Sequence, residues 1–357
     1  MGMAKPLAGE QNLHLSGRGT LAIDLGSTTT VVAFQACNDA RIKLIDLAPI
    51  SRKEGEVPSM LWLDDRNSPS VLVGRQVLES GLGDRDLPQL HRDFKRWIGL
   101  PIPSPWRQLL SPDQAGARLL QEIWKRIPQD LTIERLVLTA PVETGSAYRQ
   151  WLLEACESLQ IPEIALVDEP TAAALGAGLP AGSKLLVVDL GGGTLDLSLV
   201  ALEGGEGRAA PLAQLLRFQS RNLTKSRQTL RQARVLGKAG IALGGRDLDR
   251  WILDALQPQG LPSEGDGYTA LLDAAERLKC RLSNTEINDE QELTELASSP
   301  EMTTPTTLRM NRKRFTQLLE ERGLFQLLEE LLNQTLRAAE VHGCRRSDLN
   351  AVVMVGG

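Results

Sequence analysis

Residues 185–200 read LLVVDLGGGTLDLSLV, and few folds accommodate that order. Four apolar residues run into Asp189, three glycines and Thr194 make a turn, and Leu195, Leu197 and Leu199 then alternate with Asp196 and Ser198. The pattern is strand, tight glycine turn, strand: a hairpin whose tip sets a carboxylate beside three backbone units without side chains. Glycine admits positive φ and lets backbone N–H groups approach an anion with no Cβ in the way. A carboxylate beside a phosphate repels it unless a divalent cation sits between them. The turn therefore reads as half of a clamp for a magnesium-bound nucleotide, although a lone turn of this kind also describes an ordinary hairpin.

A second half is present. Residues 21–34, LAIDLGSTTTVVAF, repeat the grammar: an apolar strand ending in Asp24, then Gly26, hydroxyls at Ser27, Thr28 and Thr29, and a second apolar strand. Between the two hairpins lies LVDEPTAAALGAGL at 166–179, where a short apolar segment leads into Asp168, Glu169 and Pro170. Proline suits the first turn of a helix, where its N–H is not needed, and the small residues that follow let another element approach closely. Two related hairpins with a carboxylate between them suggest two lobes, each offering a phosphate turn to one cleft.

These residues carry a family resemblance. DLGSTTT, DEPTAAA, DLGGGTLD and the terminal VVMVGG resemble the ATPase clasp of the actin, sugar-kinase and heat-shock superfamily. VPS at 57–59, KRWIG at 95–99, LGGRDLD at 243–249, ERLKCRLS at 276–283 and Arg314 with Phe315 make the chain most similar to the nucleotide-binding domain of DnaK-type heat-shock chaperones. The resemblance runs from about residue 20 to the end. It implies an α/β actin-like ATPase fold, two lobes on related mixed β-sheets with flanking helices and a nucleotide cleft between them. The implied organisation is a flexible tail at 1–18, lobe I at 19–182 with a smaller subdomain at 57–125, and lobe II at 183–357. Within lobe II, 244–311 would be the smaller subdomain and 203–240 a basic insertion.

The resemblance also implies roles. The ligand would be ATP or ADP with Mg²⁺, which keeps most of its hydration shell. Asp24 and Asp189 would orient the ion through its waters, and Glu169 would orient the attacking water or join the metal's outer shell. The phosphates would rest on Gly26, Ser27, Thr28, Gly191, Gly192, Gly193 and Thr194, with the Thr194 hydroxyl on the γ-phosphate. Asp196 suits the site or an exposed strand equally. Glu276, Lys279 and Ser283 share one helix face by spacing; in the family that face grips adenosine, with Gly356 and Gly357 opposite and Cys280 where some members have an arginine. Pro141 and Arg149 stand where a nucleotide-sensing relay runs, with Glu143 and Thr144 replacing its aromatic pair.

Two departures shape the expectation. A catalytic lysine is expected four residues after the glycine at Gly74, where this chain has Leu78, and no lysine lies between Lys53 and Lys95. Arg75 or Arg85 would be an unequal substitute, so slow or absent hydrolysis is expected. The sequence also stops at the glycine pair, so a truncated nucleotide-binding domain is expected, which meets clients only through a substrate-binding domain it lacks. Co-chaperones of the J-domain and nucleotide-exchange kinds are the implied partners. A bacterial actin-like filament subunit and a small-molecule kinase of the same superfamily are the alternatives.

Composition excludes other classes. At 357 residues and 42% hydrophobic the chain has enough for two cores, and a net charge of −5 gives no drive towards nucleic acid or anionic membrane. Cys37, Cys156, Cys280 and Cys344 are scattered, which suggests free thiols, no zinc and a reducing compartment. No apolar run is long enough for a membrane span and the first residues lack the core of a signal peptide, so a cytoplasmic protein is expected. Residues 208–238 hold eight Lys or Arg and no acid; a solvated insertion is favoured over a docking arm for an acidic partner or nucleic acid. A strand is expected at 41–47, two around a turn at 64–69, and helix from 75 to 128 broken by prolines.

Overall fold

The computed structural model describes residues 17–65, 70–83, 87–102, 106–141, 145–159, 161–180, 182–202, 214–218, 221–223, 233–256, 265–299 and 302–356. Expectations for Gly357, Arg85, Glu143, Thr144, most of the 1–18 tail and parts of the basic segment lie outside the described residues.

Strands β1 (Gly17–Asp24) and β2 (Thr29–Ala36) form the first hairpin, with β3 (Lys43–Leu44) and β4 (Glu56–Pro58) both paired to β2. Three short strands, β5 (Met60–Trp62), β6 (Leu72–Val73) and β7 (Leu90–Arg92), make a separate sheet beside α1 (Arg75–Glu79). Next come α2 (Pro112–Trp124), β8 (Leu131–Ala140), α3 (Gly145–Ala155), β9 (Glu163–Asp168) and α4 (Glu169–Gly176). In β1, Leu21 and Ile23 point into the core while Ala22 is half-buried, the two-residue period of a strand with one covered face. Strands β1, β8 and β9 run parallel, which demands a crossover, and α3 supplies the one between β8 and β9. Leu21, Ile23, Val32, Leu136, Leu138 and Ile164 share a core with Leu119 and Ile123 of α2 and Leu152 of α3. Each such side chain contributes about 1.5–3 kcal/mol on burial.

The second hairpin is β10 (Lys184–Leu190) with β11 (Leu195–Leu202), and after β12 (Gln214–Phe218) and β13 (Arg221–Asn222) come β14 (Ala233–Ile241), α5 (Gly245–Leu256) and α6 (Gly265–Leu282). The hairpin of β15 (Leu293–Ala297) and β16 (Thr306–Met310) precedes α7 (Arg312–Glu321), α8 (Leu324–Glu340) and β17 (Ala351–Gly356). The second main sheet has the order β14-β11-β10-β17, with β17 parallel to β10. Leu186, Val188, Leu195 and Leu197 pack beneath Leu324 and Leu331 of α8. On the other face Leu185, Val187 and Val200 meet Ala174 of α4, a helix of small residues that lies against this sheet although it follows a strand of the first. Helices α5, α6 and α7 enclose a third core with β15 and β16.

Three expectations fail. The strand at 41–47 shrinks to Lys43 and Leu44, because only two residues pair with β2. The helical stretch from 75 to 128 is interrupted by β7, which pairs with β5 and which a three-residue run could not reveal. Part of the basic segment leaves lobe II: β12 pairs antiparallel with β9, with Leu215 opposite Ala165 and Phe218 opposite Glu163, and Leu216 is fully buried in the first core. One apolar pair inside a basic run, Leu215 and Leu216, was the available signal.

Candidate functional site

Both hairpin tips meet at one place. A side chain on Gly192 of the second turn would collide with the side chain of Thr28 in the first, so only glycine allows the two turns to touch. The first turn is shaped by Ser59, whose Oγ donates to the Gly26 carbonyl at 2.7 Å and whose N–H donates to the Thr28 carbonyl at 2.7 Å. The second is shaped by α5: the N–H groups of Gly245 and Arg246 donate to the carbonyls of Gly191 and Gly192 at 2.9 and 3.0 Å. A Cβ on Gly244 would strike the backbone at Gly193, which explains the glycine pair that opens α5. With their carbonyls bound from outside, the turns direct N–H groups elsewhere. Gly26 N–H donates to Asp24 and Gly191 N–H to Thr194, whereas among the described residues those of Ser27, Thr28, Gly192 and Gly193 have no protein partner.

Around the turns stand carboxylates. Asp189 and Asp196 are directly opposite in the β10–β11 pair, and Lys238 reaches Asp196 at 3.7 Å. The Asp189 carboxyl is pushed up to about 6, first by burial and then by the nearby charges of Glu169, Asp196 and Asp24, with Lys95 opposing. Asp24, Glu169 and Asp189, separate in sequence, thus share one electrostatic neighbourhood. The Thr139 hydroxyl donates to Asp24 Oδ1 at 2.6 Å and fixes that carboxylate at the end of β1. Asp168 does not join the cluster; it accepts from the Thr171 N–H at 2.9 Å and secures the first turn of α4, which orients its neighbour Glu169.

A lysine meets Glu169 from a different segment than the one that holds Leu78. Leu78 lies on α1 in a small apolar cluster with Met60, Val77 and Leu90, and Arg75 pairs with Glu79. Lys95, from the KRWIG segment, instead places its Nζ 2.5 Å from Glu169 Oε1. The pair is sheltered, with Lys95 10% and Glu169 29% exposed. Lys95 arrives from the 3-10 turn Phe94–Trp97, which follows β7. Next to it, the Arg96 guanidinium covers Gly193, and Asp93 accepts from Arg246 Nη1 at 2.7 Å, joining the two lobes.

The proposed adenosine face is occupied by protein contacts. Arg52 of the first lobe donates to Glu276 at 3.1 Å. Lys279 donates to the Gly245 carbonyl and pairs with Asp249, each at 2.8 Å. Burial pushes Asp249 up to about 6 even with that partner. The exposed Ser283 hydroxyl donates to the Lys279 carbonyl one turn back, at 2.9 Å. Gly356 ends β17 beside Leu190, next to Asp189, and Cys280 is exposed and unpaired to any other thiol. Among the described residues no group of three or more His, Cys, Asp or Glu is placed to hold a metal ion directly, and no helix is long and apolar enough to cross a membrane.

Comparison with known proteins gives one answer. The Hsp70 protein family model matches residues 100–209 and 236–357. The chaperone protein DnaK of Thermosipho melanesiensis is 27% identical over 353 residues, covering 94% of this chain and 52% of its own. DnaK of Stenotrophomonas maltophilia is 29% identical with 94% and 53% covered, and the mitochondrial 70 kDa heat shock protein of Dictyostelium discoideum is 26% identical with 96% and 51% covered. The chain spans about half the length of the curated relatives it matches. The matched segments make up more than half of the chain and include Glu169, the second glycine turn and the strand ending at Gly356, so the chain belongs to the Hsp70 family and has its actin-like ATPase fold.

Proposed function

We propose that this chain is the ATP- and ADP-binding switch domain of a DnaK-like chaperone, and that it hydrolyses ATP in the cleft between its lobes. The observation that carries the proposal is Lys95 seated on Glu169 beside two glycine turns in mutual contact. The donor set fits magnesium held through water. The Asp189 carboxyl, pushed up first by burial and then by the charges of Glu169, Asp196 and Asp24, stands where negative charge outweighs the one opposing lysine, Lys95, and magnesium characteristically keeps most of its waters. Asp24, Asp189 and Glu169 would hold that hydrated shell. Magnesium, when bound, would neutralise phosphate charge.

The chain's own groups divide the remaining work. N–H groups of Ser27, Thr28, Gly192 and Gly193 would donate to phosphate oxygens, and the Thr194 hydroxyl would reach the terminal phosphate. Glu169 would accept a hydrogen bond from the attacking water and so aim its oxygen. Lys95 would offset charge building on the transferred phosphoryl group, the role expected of the lysine sought near Leu78, so hydrolysis is proposed in place of the slow or absent turnover expected from Leu78. Glu276, Lys279, Ser283, Gly356 and Gly357 would wall the adenosine side. J-domain and nucleotide-exchange co-chaperones are the partners this assignment implies, with clients bound by residues other than these and a cytoplasmic setting.

Melting with ATP, ADP and Mg²⁺ varied separately tests the proposal. Ligand at several hundred times its dissociation constant adds about 3–4 kcal/mol, and the gain with ATP should require Mg²⁺. Failure of every nucleotide to raise the melting temperature would sink it.

A further inference from the structure

Tyr148 is fully buried, and its hydroxyl has no hydrogen-bond partner among the described residues. Leaving a buried hydroxyl unsatisfied costs about 1–3 kcal/mol, so an orphan of this kind in a native fold points to a bound water or ligand. Phenylalanine would fill the same space without that cost. Position gives the hydroxyl a context. Tyr148 lies in the first turn of α3, which follows β8. At that end of the sheet Leu138 is in register with Ile23, and Ala140 with Asp168, so α3 starts over the strand ends that carry Asp24 and Glu169.

The ring is held from two sides. It packs at a tilt against Trp151 with centroids 5.1 Å apart at 52°, and the chain at Gly99, just past Lys95, runs close against the backbone of Tyr148. The nearby charges are the cleft's own: after burial, the Glu169 and Asp24 carboxylates most oppose loss of the phenolic proton. Tyr148 is therefore a buried neutral donor within the electrostatic reach of two carboxylates.

Resting on the assignment of the cleft as an ATP-hydrolysing site, we propose that Tyr148 is a positioning residue for that reaction. Its hydroxyl donates to a buried water shared with Glu169 and Asp24, and this water holds the Glu169 carboxylate at the angle from which it orients the attacking water. A buried water needs two to four polar partners, and the phenol with two carboxylates supplies three. Tyr148 keeps its proton throughout and touches neither nucleotide nor attacking water.

Tyr148→Phe in the full chain removes one oxygen and keeps the packing against Trp151. Single-turnover hydrolysis of Mg-ATP is expected to slow about tenfold, the effect of one lost hydrogen bond. The dissociation constant for ATP and the nucleotide-free melting temperature should stay unchanged. An unchanged rate with a raised melting temperature is the signature of an orphan hydroxyl with no task, and it overturns the proposal. A second readout needs no activity: a crystal structure of the unmodified chain should show an ordered water within about 3.2 Å of Tyr148 Oη and of a Glu169 oxygen. A dry hydroxyl alongside normal hydrolysis removes the positioning role alone. No hydrolysis by the unmodified chain removes the ATPase assignment, and the positioning role with it.

Discussion

Replacing Lys95 by methionine keeps the length of the side chain and removes its charge. In the folded chain this deletes the cation 2.5 Å from Glu169 and leaves that carboxylate near the charge of Asp189. Breaking a fully buried ion pair costs about 3–5 kcal/mol. Glu169 keeps water on 29% of its surface, which reduces the expected loss to about 2 kcal/mol in nucleotide-free urea unfolding. The kinetic effect should be larger. Removing a group that stabilises charge in a transition state costs about 10²–10³ in rate, so single-turnover hydrolysis of Mg-ATP should fall by at least two orders of magnitude. ATP affinity should change far less, because the glycine turns are intact. Lys95→Arg should recover most of the stability and little of the rate, since a guanidinium cannot reproduce a point ammonium. A Lys95→Met protein hydrolysing within threefold of the unmodified rate would refute the reasoning.

The raised Asp189 carboxyl makes the nucleotide-free fold sensitive to pH. Its folded state holds a proton between about 4 and 6 that the unfolded chain has released, so this group's contribution to stability declines as pH rises through that window. Asp189→Asn should therefore raise the nucleotide-free unfolding free energy at pH 7 more than at pH 4, by about 1–2 kcal/mol after allowance for solvent screening, and should weaken the Mg²⁺ dependence of nucleotide stabilisation; equal gains in urea unfolding at both pH values would count against it. His91 acts in the opposite sense: it is fully buried, both ring nitrogens lack a partner among the described residues, and burial lowers it to about 4. The unfolded histidine takes up a proton from about pH 6.5 downwards, so stability is lost as pH falls from there towards 4; the gain from His91→Leu over the unmodified protein should be about 2–3 kcal/mol larger at pH 4.5 than at pH 7 in urea unfolding. Leu216→Ala should cost about 2–4 kcal/mol, because Leu216 anchors the β12 strand in the first core; a cost near zero would mean that the strand is not held there.

Local patterning made both hairpins legible. Alternation around Asp24 and Asp189 marks strands, and glycine between them marks turns where a side chain cannot fit; these are properties of adjacent residues. Glu169 was readable for the same reason, since Asp168 and Pro170 announce the start of a helix. Gly323, at φ 75°, separates α7 from α8, a break that glycine permits in an otherwise leucine-rich helical stretch. What escaped were groups that act at a distance along the chain. Ser59 shapes a turn 33 positions away, and Thr139 grips a carboxylate 115 positions away. Lys95 reaches Glu169 across 74 positions.

Sequence alone, then, determined the two carboxylate hairpins, the helix that carries Glu169 and the family to which they belong, because strand period, turn chemistry and helix initiation are written in neighbouring residues. Only the tertiary structure decided which lysine enters the cleft, that β12 joins the first lobe's sheet, and that a tyrosine hydroxyl is buried with no partner among the described residues. Those outcomes depend on burial and Coulomb interactions between segments that meet only after the sheets have formed, and no spacing along the chain encodes them.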